Sequence, residues 1–140
     1  MKVSLKYENN LGFRAITRHF KEILIDEPPS FHGTDQGPSP VEYFLIGIGG
    51  CIGNTFAYCL QKKNIEIDDL EILIEGNLKH MGPKMRLRLV NIDCKVLFTP
   101  KNERSNEDIE KCIKEFQGHC VLSNSIIKHL HTKVQVLKKQ

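Results

Sequence analysis

The chain has 140 residues, 40% of them hydrophobic and 26% charged, with a net charge of +3. That composition fits one globular domain spanning 1–140 with a core of its own. The basic residues are scattered through "KEILIDE", "MRLRL" and "LKKQ" rather than gathered into a stripe with aromatics, which argues against a nucleic-acid surface.

The first forty residues read as strands and turns. "VSLKYE" alternates Val3, Leu5 and Tyr7 on one face, "NNLG" at Asn9–Gly12 is a turn signal, and "FRAITRHF" and "KEILID" are two further short strands. "EPPSFHGTDQGPSP" is a proline- and glycine-rich loop. It leads into an apolar helix with Ser39 as N-cap and Pro40 where a helix start tolerates proline. Two alternating segments follow, Leu70, Ile72 and Ile74, then Met85, Leu87 and Leu89 passing to Ile92, Cys94 and Val96. "HMGPK" is the turn between them, and the frame slip between Leu89 and Ile92 predicts a bulge. Ser105 is the expected cap of an amphipathic helix on Ile109, Cys112, Ile113 and Phe116 that ends at Gly118. "CVLSNSIIKHL" reads as a short helix and "TKVQVL" as a closing strand. The order describes an α+β fold.

Five cysteines, none in a CxxC pair, give neither a disulfide framework nor a zinc ribbon, so a reducing, cytoplasmic setting is expected. "MKVSLKYENN" lacks the apolar run of a secretory signal. His119, His129 and His131 read as surface or capping residues, because no further metal ligands come at usable spacing.

The central segment "YFLIGIGGCIGNTFAYCL" admits three readings. Its length and lack of charge suit a membrane span, and Gly49 and Gly53 form a small-xxx-small pair, but Glu42 and Asn54 sit at or inside it without an aromatic belt or strong basic flank. A phosphate loop fails, since GxGxxG would need glycine where Ile52 stands. The third reading is a buried helix. Four interior glycines cost it about 3–4 kcal/mol relative to alanine, so something must approach it closely. Cys51 then lies in a tight, partly apolar cleft, with dense core packing as the plain alternative. Cys59, Cys94 and Cys112 read as core residues.

"GPSPVEYFLIGIGGC" followed by "IEIDDLEILIEG", together with "GHCVLSNSIIKHLHTKVQVLKK", resembles the osmotically inducible protein C / organic hydroperoxide resistance (OsmC/Ohr) family over nearly the whole chain. The resemblance implies a two-layer α+β fold with a long buried central helix, in an intertwined homodimer with active sites at the subunit interface and no membrane or nucleic-acid partner. It also implies thiol-dependent reduction of organic hydroperoxides, with Cys51 as peroxidatic and Cys120 as resolving cysteine. No bound cofactor or metal is implied, only a dithiol or small-thiol reductant. The family's activating pair is a glutamate and an arginine. Val41 stands where the glutamate belongs and Glu42 comes one residue later, while Arg14, Arg18 or His32 are the candidates for the positive charge. This departure leaves a second reading beside the peroxidase: a binding module that holds a small thiol or acyl-thiol in the Cys51 cleft.

Overall fold

The computed structural model describes residues 1–101, 106–126 and 130–139; Ser105 and His129 lie outside them. The described residues group into two compact units, Met1–Phe44 and Leu45–Gln140.

The first unit holds a three-stranded antiparallel sheet in the order β1 (Ser4–Asn9), β2 (Gly12–Thr17), β3 (Phe20–Ile25). The "NNLG" turn falls as expected, with Asn10 at φ 45°. The predicted strand over "FRAITRHF" is instead divided. Thr17 pairs with Phe20 across a tight turn whose Arg18 has φ 51°. This two-residue hairpin falls in the polar run Thr17–Arg18–His19, which has no glycine, asparagine or aspartate to mark it as a turn. The proline-rich loop includes one 3-10 turn, Pro29–Phe31. It is gathered around Asp26, whose carboxylate accepts the backbone N–H groups of Glu27 (2.8 Å), Thr34 (3.0 Å) and Gln36 (3.2 Å) and the Thr34 hydroxyl (2.5 Å).

Helix α1 (Pro40–Lys62) runs from the first unit into the second. Its start is a reciprocal capping box. The Ser39 N–H donates to the Glu42 carboxylate at 2.6 Å, and the Glu42 N–H donates to the Ser39 hydroxyl at 3.3 Å. Its end is a left-handed Asn64 (φ 53°), with the Asn64 N–H on the Gln61 carbonyl and the Ile65 N–H on the Leu60 carbonyl, both at 3.0 Å. That is a Schellman closure, and its accompanying apolar pair, Leu60 and Ile65, lies in the core.

In the second unit β4 (Ile67–Met81) and β5 (Arg86–Pro100) form a long antiparallel hairpin. From β5 the chain continues through α2 (Asn106–His119) and α3 (Val121–Ile126) to β6 (His131–Lys138), parallel to β5. The predicted bulge is present: Asn77 pairs with Asn91 and Leu78 with Leu89, leaving Val90 as the extra residue. It rotates the alternation so that Ile92, Cys94, Val96 and Phe98 all turn into the core. There they meet Ile48, Ile52, Phe56 and Leu60 of α1 and Ile109, Cys112 and Phe116 of α2. Phe56 is the hinge of this packing, edge-on to both Phe98 (5.2 Å) and Phe116 (5.1 Å). Burying each such ring contributes about 1.5–3 kcal/mol.

By length and composition α1 is apolar enough to cross a membrane. Its apolar residues Ile48, Ile52, Phe56 and Leu60 are instead spent on the core of the second unit. The glycines explain the closeness of that packing. A Cβ on Gly53 would stand 3.0 Å from the Ile72 side chain of β4, and one on Gly49 3.4 Å from Ile74. Two of the four glycines therefore make room for the protein's own sheet. Of the four, Gly50 alone faces open space, with nothing within 4 Å.

Candidate active site

Cys51 lies midway along α1, half-buried, and Cys120 lies fully buried in the joint between α2 and α3. Both are free thiols, and the Cys120 thiol donates to the Cys51 sulfur at 3.3 Å. A disulfide needs about 2.05 Å, so a small side-chain movement separates the reduced pair from a bond. On its other side the Cys120 sulfur touches the Ser123 hydroxyl at 3.1 Å.

The joint that carries Cys120 is tied by one side chain. The Asn124 amide reaches the carbonyls of Gln117 (3.0 Å), Gly118 (3.0 Å) and Cys120 (2.9 Å), so its two hydrogens serve three acceptors. The Asn124 N–H also bonds the Cys120 carbonyl at 3.1 Å. The last turn of α2 and the first of α3 are thereby held as one piece.

This joint sets the character of Cys51. Burial alone would push its thiol up. The backbone N–H of Leu122, the Cys120 thiol, the backbone N–H of Val121 and the Thr55 hydroxyl together outweigh burial and hold Cys51 below its ordinary value. The Val121 and Leu122 N–H groups belong to the first turn of α3, where backbone donors have no partner inside the helix. Thr55 also donates to the Cys51 carbonyl at 2.7 Å, so its single proton serves carbonyl or sulfur in turn. Cys94 of β5 shows the opposite case. It is 1% exposed, and burial, with Cys120 adding charge repulsion, pushes its thiol up to about 11.

The remaining sequence candidates are engaged in the first unit. Arg14 is clamped between Glu8 (2.5 Å) and Glu22 on the outer strands. Arg18 stacks its guanidinium over Phe20 at 5.2 Å, and His32 takes a left-handed conformation closing the 3-10 turn. The Glu42 carboxylate caps α1, and its bonds to Ser39 hold it below the usual carboxylate range. The structure thus brings together Cys51 and Cys120, with donors that sequence reasoning missed. Backbone N–H groups leave no mark in a sequence, and the only legible hint was "SNS" directly after "CVL".

Cys59 and Cys112 depart from the reading as separate core thiols: they form a disulfide between α1 and α2, with Cα atoms 5.7 Å apart. Local spacing could not reveal it, because the partners lie 53 residues apart and meet only when the helices pack.

Similar folds are found among solved structures. An OsmC-like protein from Mycoplasma pneumoniae is 20% identical with a TM-score of 0.81, over 99% of this chain and 96% of its own. A hypothetical protein from Aquifex aeolicus is 22% identical with a TM-score of 0.77, over 99% and 95%. An organic hydroperoxide resistance protein OsmC from Legionella pneumophila is 16% identical with a TM-score of 0.68, over 96% and 94%. Among proteins of curated function none matches the sequence. The model of the OsmC-like protein family matches residues 33–135, a span that includes both Cys51 and Cys120, and the chain belongs to that family.

Proposed function

We propose that the protein is a cytoplasmic two-cysteine thiol peroxidase that reduces organic hydroperoxides in defence against oxidative stress. The observation that carries this reading is the 3.3 Å approach of Cys120 to a Cys51 thiol held below its ordinary value. Membership of the OsmC-like family, and the fold shared with a hydroperoxide resistance protein, support it further.

In this mechanism the Cys51 thiolate attacks the distal peroxide oxygen. The O–O bond breaks, the alkoxide takes a proton to leave as alcohol, and Cys51 becomes a sulfenic acid. Cys120 then attacks the Cys51 sulfur, expelling water and closing the disulfide. A dithiol reduces that disulfide by two exchange steps, its second thiol attacking the mixed disulfide, and leaves as its own intramolecular disulfide. The backbone donors of Val121 and Leu122 take the part that an arginine held by a glutamate plays elsewhere in the family, so Val41 is compatible with a reactive thiol. Steady consumption of an alkyl hydroperoxide with a dithiol, abolished in Cys51→Ser, is the expected result. Turnover unchanged by that substitution would sink the assignment.

The proposed assembly is a homodimer. All six residues of β1 are exposed, Leu5 and Tyr7 included, so this edge strand of the first sheet offers an apolar face suited to a second copy. Sedimentation equilibrium at micromolar concentration should give twice the monomer mass.

One observation favours a second reading. The open space over Gly50, beside half-buried Cys51, has room for a small thiol held as a mixed disulfide. Intact mass measurement of protein purified without reductant distinguishes the two, since the binding module carries an adduct on Cys51 and shows no peroxide turnover.

A further inference from the structure

The cysteines form two rungs between α1 and the α2–α3 segment. Cys51 and Cys59 are eight residues apart, as are Cys112 and Cys120, and the pairs match in antiparallel order. Eight residues of helix place the rungs about 12 Å apart along α1. The second rung opens to solvent on one side only, because Cys112 is fully buried and Cys59 is half-buried. Cys59 lines a cavity of about 530 Å³ between the helices. Tyr58, Lys62 and Lys63 line it too, with Glu115 as the acid, and it extends to Thr55, the neighbour of Cys51. The Lys62 ammonium lies over the Tyr58 ring at 5.0 Å, while Lys63 is partly neutralised by Asp108 at 3.5 Å.

We propose that the Cys59–Cys112 disulfide is a second thiol-exchange site, opened at Cys59 by small anionic thiols that enter this cavity. Access decides which sulfur is attacked. An incoming thiolate bonds to the Cys59 sulfur, the Cys59–Cys112 bond breaks, and Cys112 leaves as a thiolate that takes a proton. A second thiol then attacks the mixed disulfide, freeing Cys59 and releasing the small molecule as its own disulfide. Two thiols are oxidised as one protein disulfide is reduced, and the small disulfide runs the same steps backwards. Lys62 favours a carboxylate-bearing thiol over a cationic one by direct attraction. The site does not depend on the chemistry of Cys51, so the two can be tested apart.

The test uses a Cys51→Ser/Cys120→Ser protein prepared without reductant. It is exposed to mercaptosuccinate or to cysteamine at equal thiolate concentration, quenched with iodoacetamide at early times and peptide-mapped. The expected result is a mercaptosuccinate adduct on Cys59 with Cys112 alkylated. It forms severalfold faster than the cysteamine adduct, and Lys62→Gln narrows that ratio toward one. Alkylation of both cysteines before any thiol is added, an adduct on Cys112 instead, or cysteamine reacting as fast as mercaptosuccinate would each overturn the proposal. Mapping the same peptides in the unsubstituted protein gives the same decision if the double variant does not fold.

Discussion

Cys51 and Cys94 flank the same partner, Cys120, and belong to the same core, yet they are driven in opposite directions. Burial pushes both thiols up. At Cys94, in mid-strand with its backbone groups committed to the β4 and β6 ladders, nothing offsets it. At Cys51 the first turn of α3 supplies N–H donors that no helix partner uses. The two thiols thus differ in exposure and in donors: Cys94 is 1% exposed and meets no donor that favours its thiolate, whereas half-buried Cys51 meets N–H groups at the start of α3. The largest effect that could break this comparison is the difference in alkylation rate at neutral pH. A thiol near 11 is about one part in ten thousand thiolate at pH 7, so iodoacetamide should modify Cys51 at least a hundredfold faster than Cys94. Comparable rates at the two sites would mean that the donors do not act on Cys51.

A smaller effect isolates the donor itself. Leu122→Pro removes one N–H from the first turn of α3, a place where proline costs no intrahelical bond. A hydrogen bond to a charged group is worth about 1.5–3 kcal/mol, so alkylation of Cys51 at pH 7 should slow roughly tenfold while Cys94 is unaffected. Asn124→Ala tests the joint one step further out. It removes the clamp on the Gln117, Gly118 and Cys120 carbonyls, which should lower stability by about 1–2 kcal/mol and slow Cys51 alkylation a few-fold. A stability loss without slower alkylation would make Asn124 a structural tie alone.

The contrast also marks what was legible in the sequence. Features set by neighbours in the chain could be read: the Ser39 cap, the alternation through Ile72 and Ile74, and the bulge that the slip between Leu89 and Ile92 announced. The turn at Arg18 could not, because it carries none of the glycine, asparagine or aspartate residues that usually mark such a turn. Glu42 stands one residue after the family motif's glutamate position, and its carboxylate closes a capping box that "SPVE" spells out. Pairing of sulfurs was beyond local pattern altogether. Cys51 and Cys120 could be coupled only through a family resemblance, and Cys59 with Cys112 not at all, since both pairings arise from the antiparallel packing of helices.

Asp26 offers the gentlest test of the same physics, in the other unit and in a carboxylate. It is 1% exposed and carries no cationic partner among its hydrogen bonds. The Thr34 hydroxyl, opposed by burial and joined by the N–H groups of Glu27, Gln36 and Thr34, holds it at about 2. Because its folded value is depressed, the ionised form stabilises the loop at any pH above the ordinary carboxylate value near 4. That contribution is lost as pH falls from there through about 2. Amide exchange at Thr34 and Gln36 should therefore be protected at pH 5 and lose that protection between pH 4 and 2, after allowance for the intrinsic rate. Asp26→Asn should show weak protection at both ends of the range. An unchanged protection profile in Asp26→Asn would place the loop's order elsewhere and confine the balance of burial against backbone donors to Cys51.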